Sequence, residues 1–273
     1  MYKLFNNIDR IFVINLKKDL YRRDHITKEF KKFNLNFEII DAVSFNDEIV
    51  KKLYIENKVM DYPPCFRCFK DNCDHDNNYL TPKQVANFLS IKNIMEKILK
   101  ENLKNTLIFE DDFKFTFHSR KSFKNLTNFL SKKNLLNYQN PFLFRIGSHT
   151  VVNKKYYLKL LLLRKNTFIK NNFENMANPC FLVNHQFADL FLQKFDYINT
   201  TSDNFIHRKL AEENNVLNFS IYPFPVTQLS YGRKKNLFKS SITSDQENYN
   251  FTNLNKIKNQ DEYLKLKKDW LSS

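Results

Sequence analysis

The amino-acid sequence predicts an α/β fold with a mostly parallel central sheet flanked by helices. Three observations carry this. Short β-branched and aromatic runs alternate with segments whose apolar residues recur at three and four positions. The first two such runs are separated by a helix-length segment, which is what a parallel pair needs for its crossover. A length of 273 residues, with 42% hydrophobic residues and 28 phenylalanines, is enough to bury one sizeable core, so residues 1–273 read as a single domain.

Taken in order, Arg10-Ile-Phe-Val-Ile-Asn-Leu16 is an opening buried strand. Leu20 to Phe33 follows as a helix with Ile26, Phe30 and Phe33 on one side, and Phe37 to Ile40 is the second strand. A Cys-rich insertion occupies 60–80. Thr81-Pro82-Lys83-Gln84 then stacks three helix-start signals: a Thr cap, a proline at the first helical position and a glutamine three residues after the cap. In the helix that follows, Val85, Phe88, Leu89, Met95, Ile98 and Leu99 form a core-facing stripe. Thr106 to Glu110 is an apolar strand that ends in acid. Ser119 to Lys133 reads as a helix, Phe142 to Ile146 as a strand stopping at Gly147, and Tyr156 to Ile169 as a β-hairpin or strand pair. Cys180 to Val183 is a further strand, and Gln186 to Phe195 and Asp203 to Glu213 are helices. The polar tail, 246–273, closes with an amphipathic helix near Tyr263 to Leu271.

Composition narrows the function classes. With two glycines the chain has neither a P-loop nor a Rossmann fingerprint, since both need backbone without a Cβ close to phosphate. A formal net charge of +15 points to an anionic partner, whether nucleotide diphosphate, acidic glycan, anionic membrane surface or nucleic acid. The basic residues, among them Lys17, Lys18, Lys154, Lys155, Arg233, Lys234 and Lys235, are scattered, so a solvated lysine-rich surface accounts for most of them and nucleic acid is the weakest of these candidates. Met1 to Asp9 has no basic-then-apolar leader. The apolar run Leu158 to Leu163, interrupted by Lys159 and followed by Arg164, is far short of the ~20 residues of a membrane helix. The expectation is a soluble cytoplasmic protein whose contact with a membrane, if any, is peripheral.

Glu110-Asp111-Asp112 is the sharpest chemical signal. If the strand stays extended, Glu110 and Asp112 project to one side, and two hard carboxylates there suit Mn²⁺ or Mg²⁺ completed by phosphate and water. An acidic loop after a strand is the alternative. Arg22 and Arg23 read as the start of a surface helix, and Asp203 as a helix N-terminal acid. Cys65, Cys68, Cys73 and His75 have the ligand types and short spacing for a structural Zn²⁺ site, against reduced thiols in a loop. Cys180, inside a strand, reads as core.

The ordered set Phe12-Val-Ile-Asn-Leu16, Asp19, Arg22, Arg23, Phe37-Glu-Ile-Ile-Asp-Ala42, Leu80-Thr-Pro82, Leu89-Ser90, Leu107-Ile-Phe-Glu-Asp-Asp112, Asn178-Pro-Cys-Phe-Leu-Val183 with Ala188, Ser202-Asp203, Pro225-Val-Thr-Gln228 and Ser244-Asp245 resembles glycosyltransferase family 25, the lipooligosaccharide-biosynthesis type. The resemblance spans roughly Arg10 to Asp245. It implies a GT-A-like nucleotide-sugar-binding fold that transfers a hexose, galactose or glucose, from a UDP-sugar to a glycan or protein-linked hydroxyl with inversion. It also implies roles: Asp112, with Glu110 and Asp245, toward the Mn²⁺ or Mg²⁺ ion; Asn15, Arg22, Arg23, Glu110, Asp111 and Gln228 toward the donor; and Asp203 as base. Members usually carry Gly-Cys in the helix after Leu-Thr-Pro and a His after its Ser, whereas this chain has Ala86-Asn87 and Ile91. A catalytically inactive relative that binds or scaffolds through a basic surface is therefore the competing reading, and a metal-dependent phosphoryl-transfer or nuclease site is the third.

Overall fold

The computed structural model describes residues 7–148, 158–160, 162–163, 165–170, 179–213, 216–230, 238, 250–252 and 256–273. Strand β1 (Arg10–Asn15) leads through helix α1 (Leu20–Lys31) to β2 (Glu38–Asp41), and β1 lies between β2 and β3 (Asn105–Glu110), parallel to both. Helices α2 (Glu48–Ile55) and α3 (Pro82–Lys100) precede β3. Strand β4 (Phe113–Phe115), α4 (Ser119–Lys132), β5 (Phe142–Arg145) and β6 (Thr167–Lys170) follow. Then come β7 (Cys180–Asn184), α5 (His185–Gln193), a short helix α6 (Ser202–Asn204) running into a π-helical segment (Phe205–Leu210), β8 (Leu217–Tyr222), β9 (Val226–Gln228) and α7 (Gln260–Ser272).

Seven strands form one sheet in the order β2-β1-β3-β7-β5-β8-β6. β7 runs antiparallel to both β3 and β5, and β6 antiparallel to β8, so β2, β1, β3, β5 and β8 all point the same way. The sheet is thus mostly parallel, as expected, with β7 reversed in its middle. β4 and β9 pair separately as an antiparallel ribbon.

Strand alternation divides the core between the two faces. Phe12, Ile108, Leu143, Phe181 and Val183 meet α3, α5 and α7 on one face. Val13, Phe109, Phe144 and Leu182 meet α1 and α4 on the other. The predicted start of α3 forms a full capping box: the Thr81 side chain accepts from the Gln84 backbone N–H, and the Gln84 side chain accepts from the Thr81 N–H. The polar tail is not peripheral. Tyr263 and Trp270 of α7 are buried, and the Tyr263 hydroxyl donates to Asp61 at 2.7 Å.

Two expectations need correction. Leu158–Leu160 are helical rather than part of a hairpin, and among the described residues of that stretch β6 is the strand that forms. A short apolar run does not distinguish strand from helix, and here Leu160 is buried while Leu158, Leu162 and Leu163 are exposed. The helix expected over Asp203 to Glu213 starts at Ser202 and continues in π geometry, a wider turn often found where a fold builds a site.

Gly147, just past β5, sits where a Cβ would lie 2.7 Å from Pro179 Cγ and 2.9 Å from the Cys180 backbone nitrogen. Gly147→Ala is expected to lower stability by about 1–3 kcal/mol through overpacking, measurable by chemical denaturation. A variant as stable as the parent would mean that this strand end can move apart.

No helix among the described residues is long and apolar enough to cross a membrane.

Candidate active site

β1, β3 and β5 end at the same edge of the sheet, where ligands of open α/β folds bind. Their last residues are Asn15, Glu110 and Arg145. Extension stops at Glu110. Asp111 and Asp112 turn the chain into β4, whose ribbon partner β9 sets Gln228 opposite Phe113. From there Gln228 Nε2 donates to Glu110 Oε2 at 3.3 Å, and the Leu229 N–H donates to the Asp112 carbonyl at 2.8 Å.

The three acids of the turn have different surroundings. Asp111 is held by the chain itself: Asn15 Nδ2 donates to it at 2.8 Å and the Arg22 guanidinium forms a salt bridge with it. Arg22 also pairs with Asp19, 3.2 Å away, while Arg23 donates to Asn15 Oδ1 at 2.8 Å and pairs with Asp41. Both arginines therefore already neutralise internal carboxylates, Arg22 from a position only 8% exposed. Asp112 is 4% exposed, and its Oδ1 has no hydrogen-bond partner. Glu110 has Gln228 beside it. Burial first, then the charges of Asp112, Asp203 and Asp111, push its pKa well above the ordinary carboxylate value.

Asp203, in the short helix α6, acts on the same group of acids, since its charge is felt at Glu110. Burial raises its pKa to about 7, opposed by Arg145 and reinforced by Asp112. Asp111 is raised to about 6, chiefly by burial, with Arg22 opposing. Crowded acids that raise one another's pKa form a site that favours added positive charge. The orphaned Asp112 Oδ1 is the atom a hard divalent ion would take, with Glu110 beside it. Among the described residues the acids do not converge into one closed coordination cluster, so such an ion would need further oxygen ligands, such as phosphate and water, to complete its shell.

Sequence reasoning missed Arg145 and His207. Arg145 is completely buried, and none of its three guanidinium nitrogens has a hydrogen-bond partner. Burial lowers its pKa to about 10, while Asp203 works in the other direction. His207, on the π-helical segment, is held well below its ordinary pKa by burial and by Arg145. The signal for Arg145 was a lone arginine in the otherwise apolar run Phe142 to Ile146, because a charge in a core strand needs a reason. One departure noted in the sequence also falls here: Ser202 Oγ donates to Asn87 Oδ1 at 3.4 Å, tying α3 to the residue beside Asp203. Ile91 is core.

Asp245, Lys154, Lys155 and Arg233-Lys-Lys235 lie outside the described residues. Cys65, Cys68, Cys73 and His75 come together, with one ligand atom from each within 4.8 Å of the others. A surface cleft lined by Arg10, Leu35, Phe37 and Glu38 lies at the opposite, amino end of β1 and contains none of the site residues.

A mostly parallel sheet with acids gathered at the carboxyl ends of its strands defines an α/β protein of the ligand-binding, enzyme-like class. The family model "Glycosyltransferase family 25 (LPS biosynthesis protein)" matches residues 8–206, and the chain belongs to this family. Among curated relatives, Procollagen galactosyltransferase 1-A of Xenopus laevis is 28% identical over 132 residues, 47% of this chain and 20% of that protein. "Probable inactive glycosyltransferase 25 family member 3" of Rattus norvegicus is 27% identical over 121 residues, 43% of this chain and 19% of that protein. The matched stretch thus spans a small part of these longer relatives. A crystal structure of a glycosyltransferase involved in the glycosylation of the major capsid of PBCV-1 superposes over 83% of this chain and 95% of its own at a TM-score of 0.41 and 9% identity.

Proposed function

We propose that this chain is an inverting glycosyltransferase that moves a hexose, galactose or glucose, from a UDP-sugar to a hydroxyl of a glycan or glycoprotein. The observation that supports this best is the meeting of Glu110, Asp112 and Asp203 at one sheet edge, with Asp112 Oδ1 lacking a partner and Asp203 titrating near neutrality. A Mn²⁺ or Mg²⁺ ion bound at Asp112 would neutralise the departing diphosphate.

The remaining chemistry belongs to the chain's side chains. Asp203 takes the proton of the acceptor hydroxyl as its oxygen attacks the anomeric carbon from the side opposite the diphosphate, and the bond to UDP breaks as the new one forms. Burial raises the Asp203 carboxyl above its ordinary pKa, which makes its ionised form a stronger base toward that proton than an exposed carboxylate. Arg145, buried near Asp203, keeps that pKa from rising further. Arg22 and Asn15 hold Asp111 in place, and Gln228 holds Glu110, so the acidic edge keeps its shape before a donor arrives.

A second reading, an inactive binding or scaffold protein, draws on Ala86-Asn87 and Ile91 at the departing positions and on the similarity to the rat family member named as inactive. A thermal-shift panel of UDP-sugars with and without Mn²⁺ separates the two. A donor at a hundred times its Kd should raise Tm by roughly 5–10 °C, and only with the ion present. No response to any UDP-sugar, together with polyanion binding that weakens steeply with salt, would favour the scaffold.

A further inference from the structure

The segment 60–80 contains neither helix nor strand, and its side chains do more than fill a loop. Cys65, Cys68, Cys73 and His75 each offer one ligand atom within 4.8 Å of the other three. All three thiols are free, with Cys65 buried, Cys68 and Cys73 half-buried and His75 on the outer side. Cys65 Sγ lies 3.7 Å from His75 Nδ1. Around a tetrahedral zinc, with Zn–S about 2.3 Å and Zn–N about 2.1 Å, a sulfur and a nitrogen ligand sit about 3.6 Å apart. The thiol and imidazole are therefore already spaced as two ligands of one ion.

The backbone is arranged for the same end. In the turn from Cys65 to Cys68 the Phe69 N–H donates to the Cys65 carbonyl at 2.8 Å, and the Cys65 N–H to the Lys70 carbonyl at 3.0 Å. The Arg67 N–H points at Cys65 Sγ, 3.4 Å away, as a donor supporting a metal-bound thiolate would. Closing this turn puts Phe69 at φ 58, a left-handed conformation uncommon for a bulky side chain.

We propose that Cys65, Cys68, Cys73 and His75 bind one structural zinc ion, which closes the 60–80 loop and through it anchors α7 to the body of the fold. Soft thiolates select zinc over the hard ions that suit the acidic edge, so the two sites take different metals. Four protein ligands leave no open position, which makes the site structural. On binding, each thiol gives its proton to solvent.

The loop holds the C-terminal part of the chain from several positions. Asp61 accepts from Tyr263 and Lys267, each at 2.7 Å, and the rings of Tyr62 and Tyr263 lie 6.2 Å apart. Asn78 exchanges two hydrogen bonds with Ile257, at 2.7 and 3.0 Å, and Tyr79 donates to the Phe251 carbonyl at 3.1 Å. Trp270, the single tryptophan of the chain, packs 5.3 Å from Tyr54 and 5.6 Å from Phe251, so its fluorescence reports on this junction.

The test uses the full chain purified under reducing conditions. Elemental analysis should find one zinc per chain, retained after Mn²⁺ is exchanged away. Cobalt substitution should give tetrahedral ligand-field bands with thiolate charge transfer. Stripping zinc with a strong chelator should lower Tm by roughly 10 °C and red-shift Trp270 emission. Cys73→Ser and His75→Asn should each weaken zinc binding at least tenfold; His75, on the outer side, is the variant that should still fold. Well under one zinc per chain after exposure to the metal, a disulfide between two of the three cysteines, or undiminished zinc binding in His75→Asn would each overturn the proposal.

Discussion

Asp112→Asn is expected to lower metal-dependent turnover of the UDP-sugar by at least about 10³-fold while leaving the fold intact. The amide has nearly the shape of the carboxylate and loses its charge. Asp112 is 4% exposed, and its Oδ1 makes no hydrogen bond that the substitution would break. Removing a negative charge that raises both Glu110 and Asp203 also relieves repulsion, so Tm should stay level or rise slightly. Steady-state kinetics across a Mn²⁺ titration, with a melting curve for each variant, checks both parts. Turnover like that of the parent would remove Asp112 as the metal ligand. A collapsed melting curve would instead make it a folding residue.

Asp203→Asn should reduce kcat by about 10²–10⁴-fold and leave donor affinity nearly unchanged, because a base acts on the acceptor proton and contributes little to holding UDP. In the parent the rate should rise with pH as Asp203 ionises and then level off, and the Asn variant should lose that limb. Stability has the opposite sign. The carboxyl is raised from 3.8 in the unfolded chain to about 7 in the fold, so between these values the folded state binds the extra proton. The parent therefore loses stability as pH climbs from about 4 to about 7, and the loss is complete above that. Asp203→Asn should flatten this slope. An unchanged pH–rate profile with weakened UDP binding would reassign Asp203 to the donor.

Fold signals legible in the sequence were those with a local cause. Thr81-Pro82-Lys83-Gln84 specified the start of α3, because a capping box is satisfied within a single turn. β1, β3 and β7 were legible because strands covered on both faces need continuous apolar runs. β9 and the edge strand β6 were not, since three or four residues carry too little periodicity and pair only once distant partners are in place. The π-helical segment was also hidden, because its sequence has the ordinary spacing of an α-helix.

The site divides in the same way. Glu110-Asp111-Asp112 and the Cys/His cluster stood out because their members are close in the chain. Their division of labour did not, since it depends on contacts made across long separations: Asn15 and Arg22 with Asp111, Gln228 with Glu110, Asp203 with Arg145. Arg145 looked like an ordinary member of a strand until the fold buried it beside a carboxylate.

By itself the sequence determined the α/β order, the capped helix, the strands that carry the acidic edge and the residue types able to hold metals, all of which follow from short-range sterics and periodicity. The tertiary structure alone decided which acid is neutralised by arginine and which is left bare, where Asp203 lies, and that the polar tail joins the core. Those outcomes depend on burial and on charges brought together from distant parts of the chain, and both exist only once the sheet has closed.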